Sequence, residues 1–177
     1  MTFQLVIRNA RQKVLCWNIM TSKVLKGAFD MKITIGSDHG AVDLKEAVKK
    51  VLAEFENVEV KDVGTFGTEA VDYPEIAEKV CADVVSGAAD RGIVLCGTGI
   101  GISIAANKIK GIRCAMCNDV YSATMSREHN NANVLAMGGR VIGFGVAGKI
   151  VRAWLTTEFA GGRHERRVNK IMALENK

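Results

Sequence analysis

A glycine-rich turn that begins with a cysteine is the most chemically distinctive segment of this 177-residue sequence. It reads Cys96-Gly97-Thr98-Gly99-Ile100-Gly101-Ile102-Ser103 and follows an apolar run, so we expect it to join a buried strand to a helix. Backbone N–H groups at such a turn can bind an anion, and a thiol beside them can act as a base or a nucleophile. A buried cysteine at a strand end is the simpler interpretation. Ile102 stands where a dinucleotide-binding loop has its third glycine, which disfavours nucleotide binding.

Three other polar clusters could supply acid–base or phosphate-binding groups. In residues 37–40, Asp38 can cap the following helix and His39 lies at the positive end of its dipole. In residues 126–133, which contain three asparagines, His129 can act as a general acid or base. Near the C-terminus, Arg163 and Arg167 share one helix face, which suits a phosphate dianion. A capping turn, an asparagine-rich helix end and a solvated basic face are the simpler interpretations of these clusters.

The elements that must position these clusters alternate between strand and helix. Apolar runs and alternating patterns predict strands at residues 32–36, 58–63, 92–96, 112–117 and 134–137. Helical spacing predicts helices at residues 44–55, from about Pro74, and at residues 100–108, 119–129, 146–157 and 163–174. This order predicts an α/β protein, a three-layer Rossmann-like sandwich with a five-stranded parallel sheet. Ligands bind beyond the carboxyl ends of such strands, and we expect the clusters at residues 37–40, 96–103 and 126–133 to lie there.

Composition excludes several classes of protein. Apolar residues make up 48% of the chain and charged residues 24%, and no uncharged apolar stretch is long enough for a transmembrane helix. The net charge of +5 is concentrated in residues 1–30, which carry +4, so the remainder is not a nucleic-acid-binding surface. Five cysteines, an odd number, without a secretory signal favour a reducing compartment, and we expect a cytoplasmic protein.

Residues 1–30 form a basic N-terminal extension whose composition differs from that of residues 31–177, because it is almost free of acidic residues. We favour a wrongly assigned start, because Met31 opens a natural first strand. A targeting segment, which would make the protein organellar, and a surface extension are the alternatives. Within the body, Cys114 and Cys117 have too few companion ligands for a zinc site, and we interpret them as core residues.

Taken together, the clusters resemble a known family. The segments Ser37-Asp38-His39-Gly40, Cys96 to Lys108, Ser126-Arg127-Glu128-His129-Asn130 and Gly161-Gly162-Arg163-His164 occur in this order and spacing. They are similar to those of type B ribose-5-phosphate isomerases, in the ribose/galactose isomerase family. The resemblance covers Met31 to the last helix and leaves residues 1–30 outside, so residues 31–177 are expected to be a sugar-phosphate isomerase domain.

The resemblance implies an aldose–ketose isomerisation between ribose 5-phosphate and ribulose 5-phosphate, a reaction of the pentose phosphate pathway, through a 1,2-enediolate. It implies no metal and no cofactor. By this resemblance Cys96 moves the proton between C2 and C1, and His129 opens the sugar ring, supported by Asp38. Thr98 is grouped with these catalytic residues and, with Asn130, positions sugar hydroxyls. The implied substrate-binding residues are Asp38, His39, Gly97, Thr98, Gly99, Ile100, Gly101, Ser103, Asn130, Arg140, Arg163 and Arg167.

Within this set, the turn Gly97–Gly101 together with Ser103 is implied to hold the oxyanion. His39 and the three arginines are implied to bind the phosphate. Family members are homodimers or tetramers with active sites shared between two chains, and their partner is a small sugar phosphate, not a nucleic acid or a membrane. A hexose-6-phosphate isomerase, acting on allose or galactose 6-phosphate, is the nearest alternative. A non-catalytic sugar-phosphate-binding module is another. A nucleotide-binding module, with Asp119 as its ribose-binding acid, is a third.

Overall fold

The computed structural model describes residues 31–177 and contains one five-stranded sheet in which every neighbouring pair is parallel. The predicted N-terminal extension lies outside the described residues. The sheet order is β2-β1-β3-β5-β4. The strands are β1 (Met31–Ser37), β2 (Val58–Asp62), β3 (Arg91–Cys96), β4 (Cys114–Met116) and β5 (Val134–Gly138). This confirms the predicted α/β fold with a five-stranded parallel sheet.

Six α-helices connect or follow the strands in the described part of the chain. They are α1 (Val42–Leu52), α2 (Tyr73–Ser86), α3 (Ile100–Ala106), α4 (Val120–Glu128), α5 (Phe144–Thr156) and α6 (Arg163–Met172). Short 3₁₀ helices occupy His39–Ala41 and Ala173–Asn176. No helix within residues 31–177 combines the length and apolar character needed to cross a membrane.

Helices cover both faces of the sheet and create two apolar cores. On one face α1 and α5 pack with α4, and their apolar stripes meet the side chains of β1, β3 and β5. On the other face α2 packs against α3 over the opposite side chains of β3 and β5. Every residue of β3 and β5 is buried, as the continuous apolar runs predict for central strands.

Two predicted elements are shorter in the structure because side chains take over their backbone hydrogen bonds. The predicted strand at residues 112–117 is reduced to Cys114–Met116, since the Arg113 N–H donates to Asn133 Oδ1 at 2.8 Å. The helix predicted to reach residue 108 ends at Ala106. The Asn107 side chain there donates to the Cys114 carbonyl and accepts from the Cys114 N–H, at 2.9 and 2.8 Å.

The chain order reverses direction across the sheet at β1, which has β2 on one side and β3 on the other. Such a reversal opens a crevice at the carboxyl ends of the strands. Two glycines at the end of β5, Gly138 within the strand and Gly139 after it, let the surrounding loops come close together there. A Cβ on Gly138 would lie 2.6 Å from the Thr98 carbonyl carbon, and one on Gly139 would lie 2.9 Å from Ala41 Cα. A larger residue would therefore push the loops that follow β1 and β3 away from β5.

Candidate active site

Cys96 ends β3 and lies at the centre of the crevice at the carboxyl edge of the sheet. Its side chain is buried, and its Sγ accepts a hydrogen bond from the Gly99 N–H at 3.1 Å. Gly99 has φ of +80°, a left-handed conformation that glycine adopts without strain. An N–H directed at a sulfur stabilises negative charge on it. The geometry is therefore suited to a thiolate.

The turn after Cys96 offers backbone donors beside the sulfur. Thr98 Oγ1 accepts from the Ile100 N–H at 3.3 Å, and Ser103 Oγ donates to the Ile100 carbonyl at 2.8 Å. Within residues 31–177, the N–H groups of Gly97 and Thr98 donate to no protein acceptor. The Gly99 N–H is taken by the sulfur, whereas these two N–H groups are free to receive an oxyanion.

Asp38 and His39 border this turn from β1. Asp38 Oδ1 accepts from the Gly40 N–H at 2.8 Å, which confirms the predicted capping role, and the Asp38 N–H donates to the Leu95 carbonyl at 3.0 Å. His39 Nδ1 accepts from the Val71 N–H at 3.3 Å. In a neutral imidazole this leaves the proton on Nε2, so His39 can donate a hydrogen bond to a phosphate oxygen.

Arg140 brings positive charge to the same crevice. Its N–H donates to the Gly97 carbonyl at 2.9 Å, which ties the loop after β5 to the turn after β3. Its Nε and Nη1 atoms lie 3.7 Å from the point that a Cβ on Gly97 would occupy. The exposed guanidinium and His39 are thus both placed around the glycine-rich turn, as the resemblance implies.

Tyr73 belongs to this crevice although the sequence analysis did not select it. It is the first residue of α2, and its hydroxyl lies 2.9 Å from the point that a Cβ on Gly101 would occupy. Lys45 supports the loop before it, because its fully buried Nζ donates to Asp62 Oδ1 at 2.8 Å and to the Thr65 carbonyl at 2.7 Å. An aromatic residue next to Pro74 at a strand-to-helix junction is the signal that could have identified Tyr73.

The cluster at residues 126–133 lies at the opposite edge of the sheet, so its predicted place beyond the carboxyl ends is wrong. α4 ends at Glu128, and Asn133 then leads into the amino end of β5, where its carbonyl accepts the Gly92 N–H at 2.9 Å. In a parallel sheet every helix-to-strand junction lies at this amino edge. The five residues of β5, at about 3.3 Å each, separate the two edges by about 16 Å.

At the amino edge His129 meets the start of α6. The imidazole rings of His129 and His164 stack with centroids 4.1 Å apart and planes 3° apart. Arg163 Nε donates to His164 Nε2 at 3.3 Å. Desolvation, followed by the positive charges of His129, Arg163 and Arg167, lowers the pKa of His164. Arg163 and Arg167 thus both act on His164, and the exposed Asn130 follows His129 along the chain.

The predicted site residues therefore form two groups within one chain. The carboxyl-edge group contains Asp38, His39, Cys96, Gly97, Thr98, Gly99, Ile100, Gly101, Ser103 and Arg140. The amino-edge group contains His129, Asn130, Arg163 and Arg167. Asp38 follows β1 at one edge and His129 precedes β5 at the other, so a single chain does not bring these two side chains together.

Other cysteines in the described region have no comparable setting. Burial raises the pKa of Cys81 to about 12 and that of Cys117 to about 11, and it also raises the pKa of Cys114. Cys117 is a buried core residue, as predicted, whereas Cys114 is half-buried at the edge of a core. None of these thiols lies on a turn whose backbone N–H donates to the sulfur, as that of Gly99 does to Cys96, which makes Cys96 the candidate for chemistry.

Comparison with known proteins identifies one family. The family model described as Ribose/Galactose Isomerase matches residues 33–171. Ribose-5-phosphate isomerase B of Escherichia coli is 49% identical over 82% of this chain and 97% of its own length. D-erythrulose-4-phosphate isomerase of Pectobacterium atrosepticum is 44% identical over 80% of this chain and 93% of its own. The structure of ribose-5-phosphate isomerase B from Clostridium thermocellum has a TM-score of 0.80 at 56% identity, covering 82% of this chain and 98% of that one.

A parallel α/β sheet, a thiol on a donor-rich turn and these similarities define a sugar-phosphate isomerase, an enzyme of the aldose–ketose type. The chain belongs to the ribose/galactose isomerase family.

Proposed function

We propose that this enzyme interconverts ribose 5-phosphate and ribulose 5-phosphate through a 1,2-enediolate, with Cys96 as the base. The observation that carries the proposal is the position of Cys96 Sγ. It lies 3.1 Å from the Gly99 nitrogen, beside the free N–H groups of Gly97 and Thr98. A sulfur base and an oxyanion site are thereby adjacent, as proton transfer next to a carbonyl requires.

The chemistry follows from that adjacency. In the open-chain aldose, the thiolate removes the C2 proton, and the electrons of that bond form the C1–C2 double bond. The C1 carbonyl oxygen takes the negative charge, where the free N–H groups of the turn stabilise it. Return of the proton to C1 and transfer of the C2 hydroxyl proton to the negatively charged C1 oxygen give the ketose. A positioned base supplies about 10²–10⁴ in rate, and an oxyanion donor about 10²–10³.

Ring opening and phosphate binding need the amino-edge group, and we assign that group to a second copy of the chain. His129 opens the ring, Asn130 orients a hydroxyl, and Arg163 and Arg167 bind the phosphate with His39 and Arg140. Because the two groups lie at opposite edges of one sheet, two copies packed side by side with antiparallel strands bring one group of each copy together. A two-fold axis beside α4 achieves this twice and creates two equivalent sites.

An exposed apolar surface beside the carboxyl-edge group supports the second copy. Tyr121 at the start of α4 is 75% exposed, and Phe144 at the start of α5 is 56% exposed. Further exposed apolar residues on α3, on β4, at the start of α4 and in the loop after β5 are Ile100, Ile104, Met116, Val120 and Val141. Apolar surface of this extent is typical of an interface between chains. Sedimentation of the purified protein should give a dimer or a tetramer, and a monomer would contradict the shared site.

The number of carbon atoms in the substrate is the part of the proposal for which specific alternatives exist. The D-erythrulose-4-phosphate isomerase relative is nearly as similar as the ribose-5-phosphate isomerase, so a four-carbon substrate is the second candidate. A hexose 6-phosphate is the alternative that the sequence analysis left open. We expect kcat/KM to be highest for ribose 5-phosphate when the sugars are compared in parallel.

The test is ketose formation from each sugar phosphate by the purified full chain, with EDTA present. Turnover by the wild type would support the proposed isomerisation. Loss of turnover in Cys96→Ala, together with its retention in Cys81→Ala, would support Cys96 as the base. Cys81 is the matched control because it is a buried thiol on α2. Turnover by Cys96→Ala would refute the base, and no wild-type turnover with any sugar would favour a binding module instead.

We also propose that the enzyme works in the cytoplasm, or in an organelle if residues 1–30 are a targeting segment. The four cysteines within residues 31–177 are free thiols, which a reducing compartment preserves. Fluorescent fusions of the full chain and of residues 31–177 should show the same cytoplasmic distribution. A distribution that changes when residues 1–30 are removed would identify them as a targeting segment.

A further inference from the structure

Two buried arginines share one tryptophan ring beneath the amino edge of the sheet. Arg91 and Arg127 are 7% and 6% exposed, and Trp154 is fully buried. Their guanidinium carbons lie 5.3 and 5.8 Å from the centroid of the Trp154 ring. Within residues 31–177 no carboxylate forms a salt bridge with either guanidinium. Burial, followed by the charge of Arg91, lowers the pKa of Arg127 to about 10.

The two arginines differ in what they bind. Arg91 Nη1 donates to the Trp154 and Leu155 carbonyls at 3.0 and 3.1 Å, so it binds the last turn of α5. Arg127 Nη1 donates to Asn131 Oδ1 at 2.9 Å and to the Ala132 carbonyl at 2.6 Å, so it binds the loop after α4. Only Arg127 therefore connects the tryptophan to the loop that carries His129 and Asn130.

Asn131 is held at its backbone N–H and carbonyl as well as at its side-chain oxygen. Its N–H donates to the Arg127 carbonyl at 3.1 Å, and its carbonyl accepts from Arg113 Nε at 3.0 Å. Its φ is +47°, the left-handed region that asparagine tolerates better than most residues. The conformation of Asn131 sets the direction in which the preceding residues, His129 and Asn130, leave α4.

We propose that Arg127 is a positioning residue for the isomerase reaction, which holds His129 and Asn130 in their working geometry through Asn131. This inference rests on the proposed function, in which His129 opens the sugar ring. An apolar side chain of similar volume would avoid burying an unpaired charge, which costs free energy. Among the described residues, 31–177, Arg127 Nε and Trp154 Nε1 also find no hydrogen-bond partner. The retention of Arg127 despite this cost is better explained by its role in fixing the loop after α4 than by a contribution to the stability of the fold.

Arg127→Met tests the proposal against Arg91→Met, its matched control on the same tryptophan. Each variant relieves the burial of a charge but leaves carbonyl acceptors without a donor, so the two melting temperatures should change by similar amounts. Arg127→Met should also lower kcat by about tenfold or more with little change in KM, since a 1 Å misplacement of a catalytic group can cost about 10² in rate. Arg91→Met should keep a kcat near that of the wild type. Arg127→Lys should fall between wild type and Arg127→Met, because an ammonium keeps the charge and the donors but not the planar geometry of the guanidinium.

A second readout is independent of activity. The chain has three histidines, so the ring protons of His129 and His164 can be assigned by NMR, and their stacking produces ring-current shifts. Arg127→Met should abolish these shifts and Arg91→Met should keep them. If Arg127→Met does not fold, Asn131→Ala, which removes the same acceptor from a partly exposed loop, should lower kcat and alter the shifts.

The outcomes separate the two proposals. Unchanged ring shifts and a normal kcat in Arg127→Met, or in Asn131→Ala, would overturn the positioning role. Equal losses in Arg91→Met would also overturn it, because the effect would then be general destabilisation. A wild-type enzyme without isomerase activity would refute the proposed function, while the ring shifts would still decide whether Arg127 positions His129.

Discussion

The imidazole rings of His129 and His164 lie parallel, with their centroids 4.1 Å apart. This contact joins the end of α4 to the first turn of α6, together with a hydrogen bond from the Ala160 N–H to the Glu128 carbonyl at 3.0 Å. α6 is otherwise mostly exposed, with Val168 as its one buried residue. The stack therefore fixes the position of Arg163 and Arg167 relative to His129.

Phosphate binding should raise the pKa of His164. Desolvation and the positive charges of His129, Arg163 and Arg167 lower this pKa in the free protein, so an anion placed between the guanidiniums must oppose that effect. NMR titration should give a value below the 6.5 of an ordinary histidine, and a higher one in inorganic phosphate. A value that phosphate does not change would place the anion elsewhere.

Arg163→Ala and Arg167→Ala should each raise KM by roughly 10- to 100-fold, because each removes a charge-assisted hydrogen bond to the phosphate. Arg166→Ala is the control, since residue 166 points to a different face of α6. Steady-state kinetics at two salt concentrations measure the effect. Similar KM values in all three variants would contradict the assignment of the phosphate end.

Mixing two inactive variants should restore activity. Cys96→Ala damages the carboxyl-edge group and His129→Asn damages the amino-edge group. A hybrid dimer then has one doubly damaged site and one intact site. With random exchange of chains in equal amounts, about a quarter of the wild-type activity should return. An assay before and after subunit exchange measures this, and no recovery would mean that each site lies within one chain.

Lys45→Met should destabilise the fold by about 3–5 kcal/mol, because it leaves Asp62 charged and partly buried without its nearest cation. Lys49→Met, which removes the more exposed cation bound to the same carboxylate, should cost about 1 kcal/mol or less. Denaturant unfolding measures both free energies. Equal costs would show that the burial of Lys45 does not determine its contribution.

The same carboxylate gives the wild type an acid-sensitive stability. Burial alone would raise the pKa of Asp62, but hydrogen bonds from Lys45 and Lys49 outweigh it and lower the pKa below 3.8. The folded state thus binds fewer protons than the unfolded state in this range. The stabilisation is present above about pH 4 and is lost as the pH falls through the lowered pKa. In Lys45→Met the loss should begin at a higher pH.

Gly138→Ala should lower both stability and activity, since its Cβ would lie 2.6 Å from the Thr98 carbonyl carbon and displace the turn. Gly145→Ala is the matched control on α5, where a Cβ meets no atom within 4 Å and alanine favours the helix by about 0.5 kcal/mol. Thermal melting and kcat distinguish them. A fully active Gly138→Ala enzyme would show that the close contact of these loops is dispensable.

The sequence alone was sufficient to predict the structure wherever a single local pattern of residues determined a single strand, helix or turn. The apolar run before Cys96 predicted β3 and the glycine-rich turn, and the Asp38 cap was predicted from its position alone. His129 was placed at the wrong edge because an edge depends on the direction of the chain through the sheet. Arg127 and Tyr73 depend on contacts with distant residues, which spacing along the sequence does not reveal.

α4 has a consequence for inheritance as well as for chemistry. Since this helix begins at one edge of the sheet and ends at the other, one polypeptide contributes to two separate catalytic centres in the shared-site arrangement that we propose. Two alleles that are each null, one altered at Cys96 and one at His129, should therefore complement each other when expressed together. Two alleles altered at the same edge should not. The geometry of one nine-residue helix thus predicts the pattern of intragenic complementation.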